Sequence, residues 1–189
     1  AGTTLYADNT LQGQTMIGEG CTLYPGSRMQ DAVIGDRTTV EHSVLLQCRV
    51  GSDTTVGPFA YLRPQAAVGN HCRIGDFVEI KNSSIGDETK VSHLTYVGDG
   101  DLGKNINLGC GVVFTNYDGK LKHRTVVEDN AFIGCNVNLV SPVHVGKDSY
   151  VAAGSTVEQD VPDHALYIAR SRGVIKEGWV IRRKEMGKL

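Results

Sequence analysis

No apolar run in this 189-residue sequence approaches the roughly 18 residues that a membrane-spanning helix needs. A strong charge of one sign is also lacking, because 19 Lys and Arg residues stand against 21 Asp and Glu residues and leave a net charge of -2 at pH 7. A chain with this balance lacks the net positive electrostatic field that a protein needs to wrap a nucleic acid. We therefore expect a globular protein that has neither a membrane nor a nucleic acid as its partner.

The cysteine and histidine patterns that hold disulfides or metals are missing too. The five cysteines are odd in number and form no CxxC pair: Cys21, Cys48, Cys72, Cys110 and Cys135. A disulfide framework and a structural zinc site are both disfavoured, and a cytoplasmic location is predicted. No two of the six His residues lie four or five positions apart, so we expect no three-His zinc site and no metal.

Familiar catalytic loops are absent as well. The chain contains no GxSxG elbow, no GxxxxGK[ST] phosphate loop and no GxGxxG after a strand. Because nothing marks a nucleophile, direct group transfer is favoured over a covalent intermediate. No signal peptide heads the chain and its first residue is Ala, so we expect it to be cut from a longer protein.

Glycine, by contrast, is abundant, with 23 residues, and it accompanies a repeat. Aliphatic residues recur every six positions, usually followed by Gly and, four positions after the aliphatic residue, by a small or β-branched residue. A period of six fits neither a strand nor a helix alone, but it fits a short extended face plus a turn. The two clearest registers are Val50, Val56, Leu62, Val68, Ile74, Ile80 and Val127, Ile133, Leu139, Val145, Val151, Val157.

Three such units close a triangular coil of 18 residues, and stacked coils bury the aliphatic ladder that one coil cannot bury. We predict an all-β fold, a parallel β-helix of hexapeptide repeats. At the usual spacing of strands, roughly eight coils from Ile17 to Val157 make a prism near 40 Å long. The glycines that follow the aliphatic residues are expected to adopt turn conformations closed to other residues.

Two interruptions divide the chain. The repeat fails between Phe114 and Val127, which predicts a loop at 115–126 that leaves the prism. The β-helical domain is expected to span 1–160, and 161–189 forms a C-terminal tail. The end of this tail, KEGWVIRRKEMGKL, has the pattern of a short basic amphipathic helix, although Gly178 and Gly187 weaken that prediction.

Outward cations carry the first indication of chemistry. Arg63 and Lys81 are 18 residues apart, one coil, which puts two cations on the same face and suits a phosphate or a phosphate ester. Two solvated surface charges explain this spacing about as well. His93 lies on the neighbouring face near a prism edge, where a neutral imidazole can act as a general base. By itself, a single His is more often an ordinary surface residue.

Four segments of the chain carry a resemblance to a known family. They are VGPFAYLRP (56–64), IGDFVEIKNSSIG (74–86), KVSHLTYVGDGDLGKNINLGCG (90–111) and TNYDGKLKHRTVV (115–127). They resemble the C-terminal acetyltransferase domain of the bacterial bifunctional UDP-N-acetylglucosamine pyrophosphorylase / glucosamine-1-phosphate N-acetyltransferase family. The similarity is strong from about Val50 to Trp179. It implies a left-handed β-helix and a homotrimer with active sites between subunits.

This resemblance also implies an activity and a set of site residues. The activity is acetyl transfer from acetyl-CoA, a cosubstrate, to the amine of the small molecule glucosamine 1-phosphate, with His93 as the base. The residues implied to bind the sugar phosphate are Arg63, Lys81, Tyr96, Asn107 and Lys122. The positions implied to line the cofactor are Cys110, Asn116, Tyr117, Cys135, Ala153 and Arg170, and the tail at 161–189 would complete that site.

The sequence departs from the family pattern at two cofactor positions, with Cys110 in place of the usual Ala and Cys135 in place of the usual Ser. The LxxGxGTxM nucleotide loop of the uridylyltransferase half is missing, so we expect acetyl transfer without UDP-sugar synthesis from this chain, although the longer parent would also uridylylate the product. Two other functions stay open. One is a hexapeptide acetyltransferase with another acceptor, and the other is a non-catalytic β-helical scaffold.

Overall fold

The computed structural model describes all 189 residues and contains 27 short strands and one helix. The strands are β1 (Thr4–Leu5), β2 (Thr10–Gln12), β3 (Met16–Ile17), β4 (Thr22–Leu23), β5 (Arg28–Gln30), β6 (Val33–Ile34), β7 (Thr39–Val40), β8 (Val44–Leu46), β9 (Arg49–Val50), β10 (Thr55–Val56), β11 (Tyr61–Leu62), β12 (Ala67–Val68), β13 (Arg73–Asp76), β14 (Glu79–Lys81), β15 (Ser84–Ile85), β16 (Lys90–His93), β17 (Tyr96–Gly98), β18 (Gly100–Leu102), β19 (Asn107–Leu108), β20 (Val113–Thr115), β21 (Thr125–Val127), β22 (Phe132–Ile133), β23 (Asn138–Val140), β24 (Val143–Val145), β25 (Tyr150–Val151), β26 (Thr156–Val157) and β27 (Leu166–Tyr167). The helix is α1 (Trp179–Glu185).

Every third strand belongs to the same parallel sheet, which confirms the predicted β-helix. Sheet A contains ten strands from β1 to β27, sheet B nine from β2 to β26 and sheet C eight from β3 to β24. Paired residues are 16 to 18 positions apart in most of the stack, as in Thr39↔Thr55 and Thr55↔Arg73. The coil is left-handed, as the resemblance implied.

The prism is longer than the aliphatic repeat predicted. Its first strand lies at Thr4–Leu5 rather than near Ile17, and its last at Leu166–Tyr167, beyond the domain boundary that we expected at 160. The terminal coils contact a neighbour on one side only. Leu5 is therefore half exposed, and burial puts less constraint on the aliphatic pattern there.

The core is a ladder of the repeat's aliphatic residues, as predicted. Leu62, Ile80, Val97 and Leu139 from sheet B are all fully buried. Small polar residues four positions after an aliphatic one are buried as well, and backbone groups bond to their hydroxyls except at Ser149, whose Oγ has no partner within this chain. Thr54, for example, donates its hydroxyl to the Gly69 carbonyl at 2.9 Å and accepts from the Cys72 N–H at 3.0 Å. These hydroxyls therefore link each coil to the next.

The predicted reason for the repeat glycines was wrong for the column of glycines that follows sheet C, although Gly57, after β10 of sheet A, does have a positive φ of 105°. Gly35 and Gly51, which follow aliphatic residues of sheet C, do not have a positive φ. A Cβ on Gly51 would instead lie 2.6 Å from the Gly69 carbonyl carbon of the next coil. The left-handed corner position comes two residues later and is filled by non-glycine residues such as Asp53, with a φ of 55°. Close coil-to-coil approach, not φ, thus excludes a side chain from this column.

The predicted interruption lies between β20 and β21, where residues 116–124 leave the prism at the edge between sheets B and C. Paired residues are 25 positions apart across this insertion, as in Asn107↔Phe132. At the other end of the chain, α1 confirms the expected short helix and lies almost entirely exposed. This helix is too short and too polar to cross a membrane.

Replacing Gly51 with Ala is expected to destabilise the protein by about 1–3 kcal/mol, because the added methyl overpacks the contact with the next coil. Gly173 is the matched control, since a Cβ there meets no atom within 4 Å, and Gly173→Ala should change stability by less than about 0.5 kcal/mol. Urea unfolding followed by circular dichroism measures both. Equal stabilities of the two variants would contradict the close-approach explanation.

Candidate active site

One prism edge carries four of the expected site residues in a single column. His93, Cys110, Cys135 and Ala153 each follow an inward aliphatic residue of sheet A by two positions, where the chain turns toward sheet B. Backbone bonds link them coil by coil: Asn136 N–H donates to the Cys110 carbonyl and Gly154 N–H to the Cys135 carbonyl, both at 2.8 Å. We call these four residues the corner column.

Arg170 lies at the far end of the corner column. Its Cδ atom is 3.6 Å from the point where a Cβ on Gly154 would be, directly after Ala153. The side chains of the column are small beyond His93, and Cys135 and Ala153 are exposed. The result is a shallow strip that runs from an imidazole at one end to a guanidinium at the other.

The imidazole of His93 contacts a carboxylate from the preceding coil. Its Nδ1 lies 2.6 Å from Oδ1 of Asp76, and the strand register pairs the two residues directly. The pKa of Asp76 is lowered, first by this side-chain hydrogen bond and also by the positive charge of Arg73. The carboxylate is therefore ionised at neutral pH.

Three cations meet on the face of sheet B, and we call Arg63, Lys81 and Lys122 the basic cluster. Arg63 and Lys81 follow the paired residues Leu62 and Ile80, so they lie on adjacent coils. Contact with Lys122 is the largest cause that lowers the pKa of Lys81, followed by burial, and the charge of Arg63 acts in the same direction. A group of cations that repel one another in this way favours an anion.

A buried carboxylate lies beneath the basic cluster. Asp99 is 4% exposed, and its Oδ2 lies 3.8 Å from Nζ of Lys81. It accepts hydrogen bonds from the side-chain amides of Asn82 and Asn116. Burial raises the pKa of Asp99, but these two hydrogen bonds and the charges of Lys81 and Lys122 outweigh burial and hold the pKa below its ordinary value. Asp99 thus connects the cations to the start of the 116–124 loop.

Tyr96 lies on the same face, as the first residue of β17, and its side chain extends toward the start of the loop. A Cβ on Gly98 would lie 2.3 Å from the Tyr96 hydroxyl oxygen and 2.7 Å from Nδ2 of Asn116. The absence of a side chain at position 98 therefore lets the phenol and the loop amide approach each other. Asn116 is buried and directed toward Asp99.

Within one chain, two expected site residues lie away from this assembly. Asn107 is on sheet A, paired with Lys90 and Phe132, and not on the sheet B face that carries Tyr96. Tyr117 is 58% exposed in the loop, where its hydroxyl donates to the Gly119 carbonyl at 2.7 Å. Neither residue contacts the basic cluster through a hydrogen bond.

Two carboxylates hold the 116–124 loop in place. Oδ1 of Asp118 accepts from the backbone N–H groups of Lys120 and Leu121 at 2.8 and 2.7 Å, and Oδ2 lies 2.7 Å from Nε2 of His123. These bonds, the one from Leu121 first, lower the pKa of Asp118 to about 2. Arg124 then makes two hydrogen bonds to Asp101 on sheet C. The loop is therefore fixed at its tip and at its end.

Sequence reasoning missed Asp76, Asp99 and Gly98. The signal for Asp76 was available, because it precedes His93 by one coil of 17 residues. Gly98 has the position of a repeat glycine after Val97, and nothing in the spacing distinguishes Asp99. No three His, Cys, Asp or Glu side chains come together as a metal site. The largest groove, about 700 Å³, lies apart from all these residues, along Val174, Trp179 and Ile181 of the tail.

Comparison with known proteins finds similarity to one group of bacterial proteins. Residues 47–82 and 124–159 match the bacterial transferase hexapeptide (six repeats) family. Bifunctional protein GlmU of Clostridium acetobutylicum is 59% identical over 181 residues, which cover 96% of this chain and 40% of that protein. GlmU of Acetivibrio thermocellus is 58% identical over 96% of this chain and 39% of its own length. The chain is therefore similar to GlmU over nearly its whole length.

The GlmU similarity is confined to part of those proteins, since this chain spans about 40% of the length of the curated relatives it matches. That part is the C-terminal acetyltransferase domain that the sequence motifs indicated. Two solved structures share the fold at low identity. UDP-N-acetylglucosamine acyltransferase from Campylobacter jejuni has a TM-score of 0.54 at 17% identity, over 97% of this chain and 82% of its own. LpxA from Bacteroides fragilis has a TM-score of 0.57 at 15% identity, over 100% of this chain and 77% of its own.

Replacing Asp99 with Asn is expected to lower the free energy of unfolding by about 1–3 kcal/mol at pH 7, because a buried amide cannot replace the carboxylate as acceptor and counter-charge. The folded-state pKa of Asp99 is lowered, so its contribution is present above the unfolded pKa, about 3.9, and is lost as the pH falls below it. Urea unfolding between pH 3 and 7 measures the difference, which should shrink at the acid end.

The control for this experiment is Asp8→Asn. Asp8 is exposed at a left-handed corner, and its side chain makes no hydrogen bond. A difference between wild type and Asp99→Asn that stays constant with pH would show that the Asp99 charge does not stabilise the fold.

Proposed function

We propose that this chain transfers the acetyl group of acetyl-CoA to the amino group of glucosamine 1-phosphate, giving N-acetylglucosamine 1-phosphate and CoA. The observation that carries the proposal is the sheet B surface together with its edge toward sheet A, on a chain 59% identical to GlmU of Clostridium acetobutylicum: the surface carries Tyr96 and the basic cluster, and the edge carries His93. An acyltransferase needs a base for the amine and a means of holding the acceptor, and this surface supplies both kinds of group.

In this mechanism His93 is the general base. Its Nε2 makes no hydrogen bond within the protein and is free to face the acceptor. As the amine nitrogen attacks the thioester carbonyl, a C–N bond forms and the amine proton passes to Nε2. The C–S bond then breaks, and the CoA thiolate leaves and takes up the proton from the imidazolium. No protein nucleophile and no metal is required.

The basic cluster would bind the sugar phosphate. Lys81 is three-quarters buried and already carries the repulsion of Lys122 and Arg63, so an entering dianion relieves that repulsion. Arg63 also contacts Glu79 at 2.7 Å, which fixes its guanidinium on the face. We assign Tyr96 to the sugar, because it lies on the same sheet B face as the cluster and its hydroxyl is close to Gly98 and to the side-chain amide of Asn116.

Acetyl-CoA would lie along the corner column, with the thioester near His93 and a phosphate of the cofactor at Arg170. Cys110, Cys135 and Ala153 leave room for a pantetheine arm because none is larger than a thiol-bearing side chain. Asn116 and Tyr117 would border the thioester from the loop. Cys135 keeps roughly the size but not the hydrogen bonding of the usual Ser, and Cys110 replaces an Ala that makes no side-chain hydrogen bond, so binding there would depend mainly on packing.

We further propose that the active unit is a homotrimer, with the second copy of this chain supplying part of each site. Asn107, assigned to the sugar by resemblance, lies on sheet A and cannot join Tyr96 on sheet B of its own chain. The tail also exposes Val174, Ile175 and Ile181 by 81%, 89% and 64%. A neighbouring subunit would cover this apolar segment and bring its residues toward the cofactor.

The product would feed the synthesis of UDP-N-acetylglucosamine, a precursor of cell-wall and outer-envelope polymers. We propose the cytoplasm as the compartment, where five free cysteines stay reduced. A whole protein of GlmU length would add the uridylyl transfer that follows, which this chain is not proposed to perform.

His93→Ala is expected to lower kcat for acetyl transfer to glucosamine 1-phosphate by roughly 10²–10⁴, because the amine loses its base. A thiol-release assay with acetyl-CoA measures the rate. His144→Ala is the matched control, since His144 is a half-exposed His beside Glu128 on another edge, and it should behave as wild type. Unchanged turnover in His93→Ala would favour a non-catalytic role for the surface.

Lys81→Ala is expected to raise KM for glucosamine 1-phosphate by about 10-fold or more, because a charge-assisted bond to the phosphate is lost. Turnover of free glucosamine, which lacks that phosphate, should not change between the two proteins. Steady-state kinetics with both acceptors measures KM and kcat for each protein. Lys147→Ala is the surface control and should behave as wild type. Equal use of both sugars by the wild type would contradict the phosphate site and favour a different acceptor.

A further inference from the structure

We propose that Asp76 is a positioning residue for His93 and holds the imidazole in the tautomer that leaves Nε2 unprotonated and directed at the acceptor amine. This inference rests on the proposed function, since it concerns the same base. It adds a residue to which neither the motifs nor the resemblance pointed.

The contact is built into the strand register. Asp76 is the last residue of β13 and His93 the last residue of β16, and the two strands pair Asp76 with His93 directly. Because Ile74 and Val91 point into the core two positions earlier and are fully buried, the backbone of both residues is held at the prism edge. The Oδ1–Nδ1 distance of 2.6 Å is that of a charge-assisted hydrogen bond.

The chemistry of the pair decides the tautomer. An ionised carboxylate can only accept a hydrogen bond, so Nδ1 must carry the proton that Asp76 accepts. The neutral imidazole then has its lone pair on Nε2, which has no partner in the protein. A lowered pKa of Asp76, caused first by this same bond, keeps the carboxylate ionised. The imidazolium that forms after proton transfer is also stabilised by the adjacent negative charge.

Pairing with a carboxylate does not by itself mark a catalytic His in this protein. His123, His144 and His164 have carboxylate neighbours as well. The pair at His93 differs because it begins the corner column and lies three residues before Tyr96, the first residue of β17 in sheet B, the sheet whose face carries the basic cluster. His144, whose Nε2 lies 2.9 Å from Oε1 of Glu128 one coil earlier, is also paired with a carboxylate, but through the other ring nitrogen and without those neighbours.

The test compares Asp76→Asn, Asp76→Ala and the matched control Glu128→Gln in the full chain. Asp76→Asn and Asp76→Ala are expected to lower kcat by about 10- to 100-fold while KM for both substrates stays within about twofold. This is a smaller effect than for a buried triad aspartate, because the Asp76–His93 pair is partly exposed. Glu128→Gln should retain wild-type kcat and KM.

A spectroscopic measurement separates positioning from a loss of folding. Nitrogen-15 NMR, recorded at a pH at which the imidazole is neutral, should show the proton on Nδ1 of His93 in wild type and in Glu128→Gln. In Asp76→Ala that preference should be lost, while thermal unfolding is little changed.

The outcomes separate this inference from the proposed function. Wild-type kcat in Asp76→Asn, beside an inactive His93→Ala, would overturn the positioning role alone. A wild type that transfers no acetyl group would instead overturn the proposed function. The NMR result then still decides the present inference, since an Nδ1 proton that persists in Asp76→Ala removes its basis.

Discussion

The close stacking of one coil on the next is the constraint on which the rest of this structure depends. Parallel backbone hydrogen bonds hold equivalent residues of successive coils one strand spacing apart along three faces. At the edge between sheets C and A, successive coils approach so closely that a Cβ on Gly51 would lie 2.6 Å from the carbonyl carbon of Gly69 on the next coil. Side chains of Asx residues complete that edge, as where Oδ1 of Asn70 accepts from the Ser52 N–H at 2.8 Å. The regular spacing therefore follows from backbone geometry, and the aliphatic core fills the space inside it.

This stacking converts distance along the sequence into position on a surface. Residues separated by a whole coil become neighbours, which brings Arg63 beside Lys81 and His93 beside Asp76. The same rule aligns His93 with Cys110, Cys135 and the residues beyond them in the corner column. A rigid prism thereby holds a linear site suited to a long cosubstrate, since neither the column nor the sheet B face depends on a flexible segment.

Electrostatic balance explains how the cationic part of the site is kept in a stable fold. Mutually repelling cations cost stability unless a counter-charge is near, and Asp99 provides one from below. Its carboxylate also accepts a hydrogen bond from Asn116, so the residue that compensates Lys81 also secures the base of the 116–124 loop. Asp118 and Arg124 fix the remainder of that loop through bonds to its backbone and to sheet C. The anion site and the loop therefore form one connected unit.

The sequence by itself determined the repeat, the buried aliphatic ladder, the interruption before Val127 and the shared face of Arg63 and Lys81. All of these follow from periodicity, which is a local property of the chain. It could not determine that the glycines after sheet C are required by the close approach of successive coils, that the prism continues to Tyr167, or that Asp99 lies buried beneath the cations. Those features depend on which atoms face each other across coils. Only the tertiary structure decided them, because burial and hydrogen bonding are set by contacts between distant residues and not by spacing alone. It also showed that Asn107 lies on a different face from Tyr96.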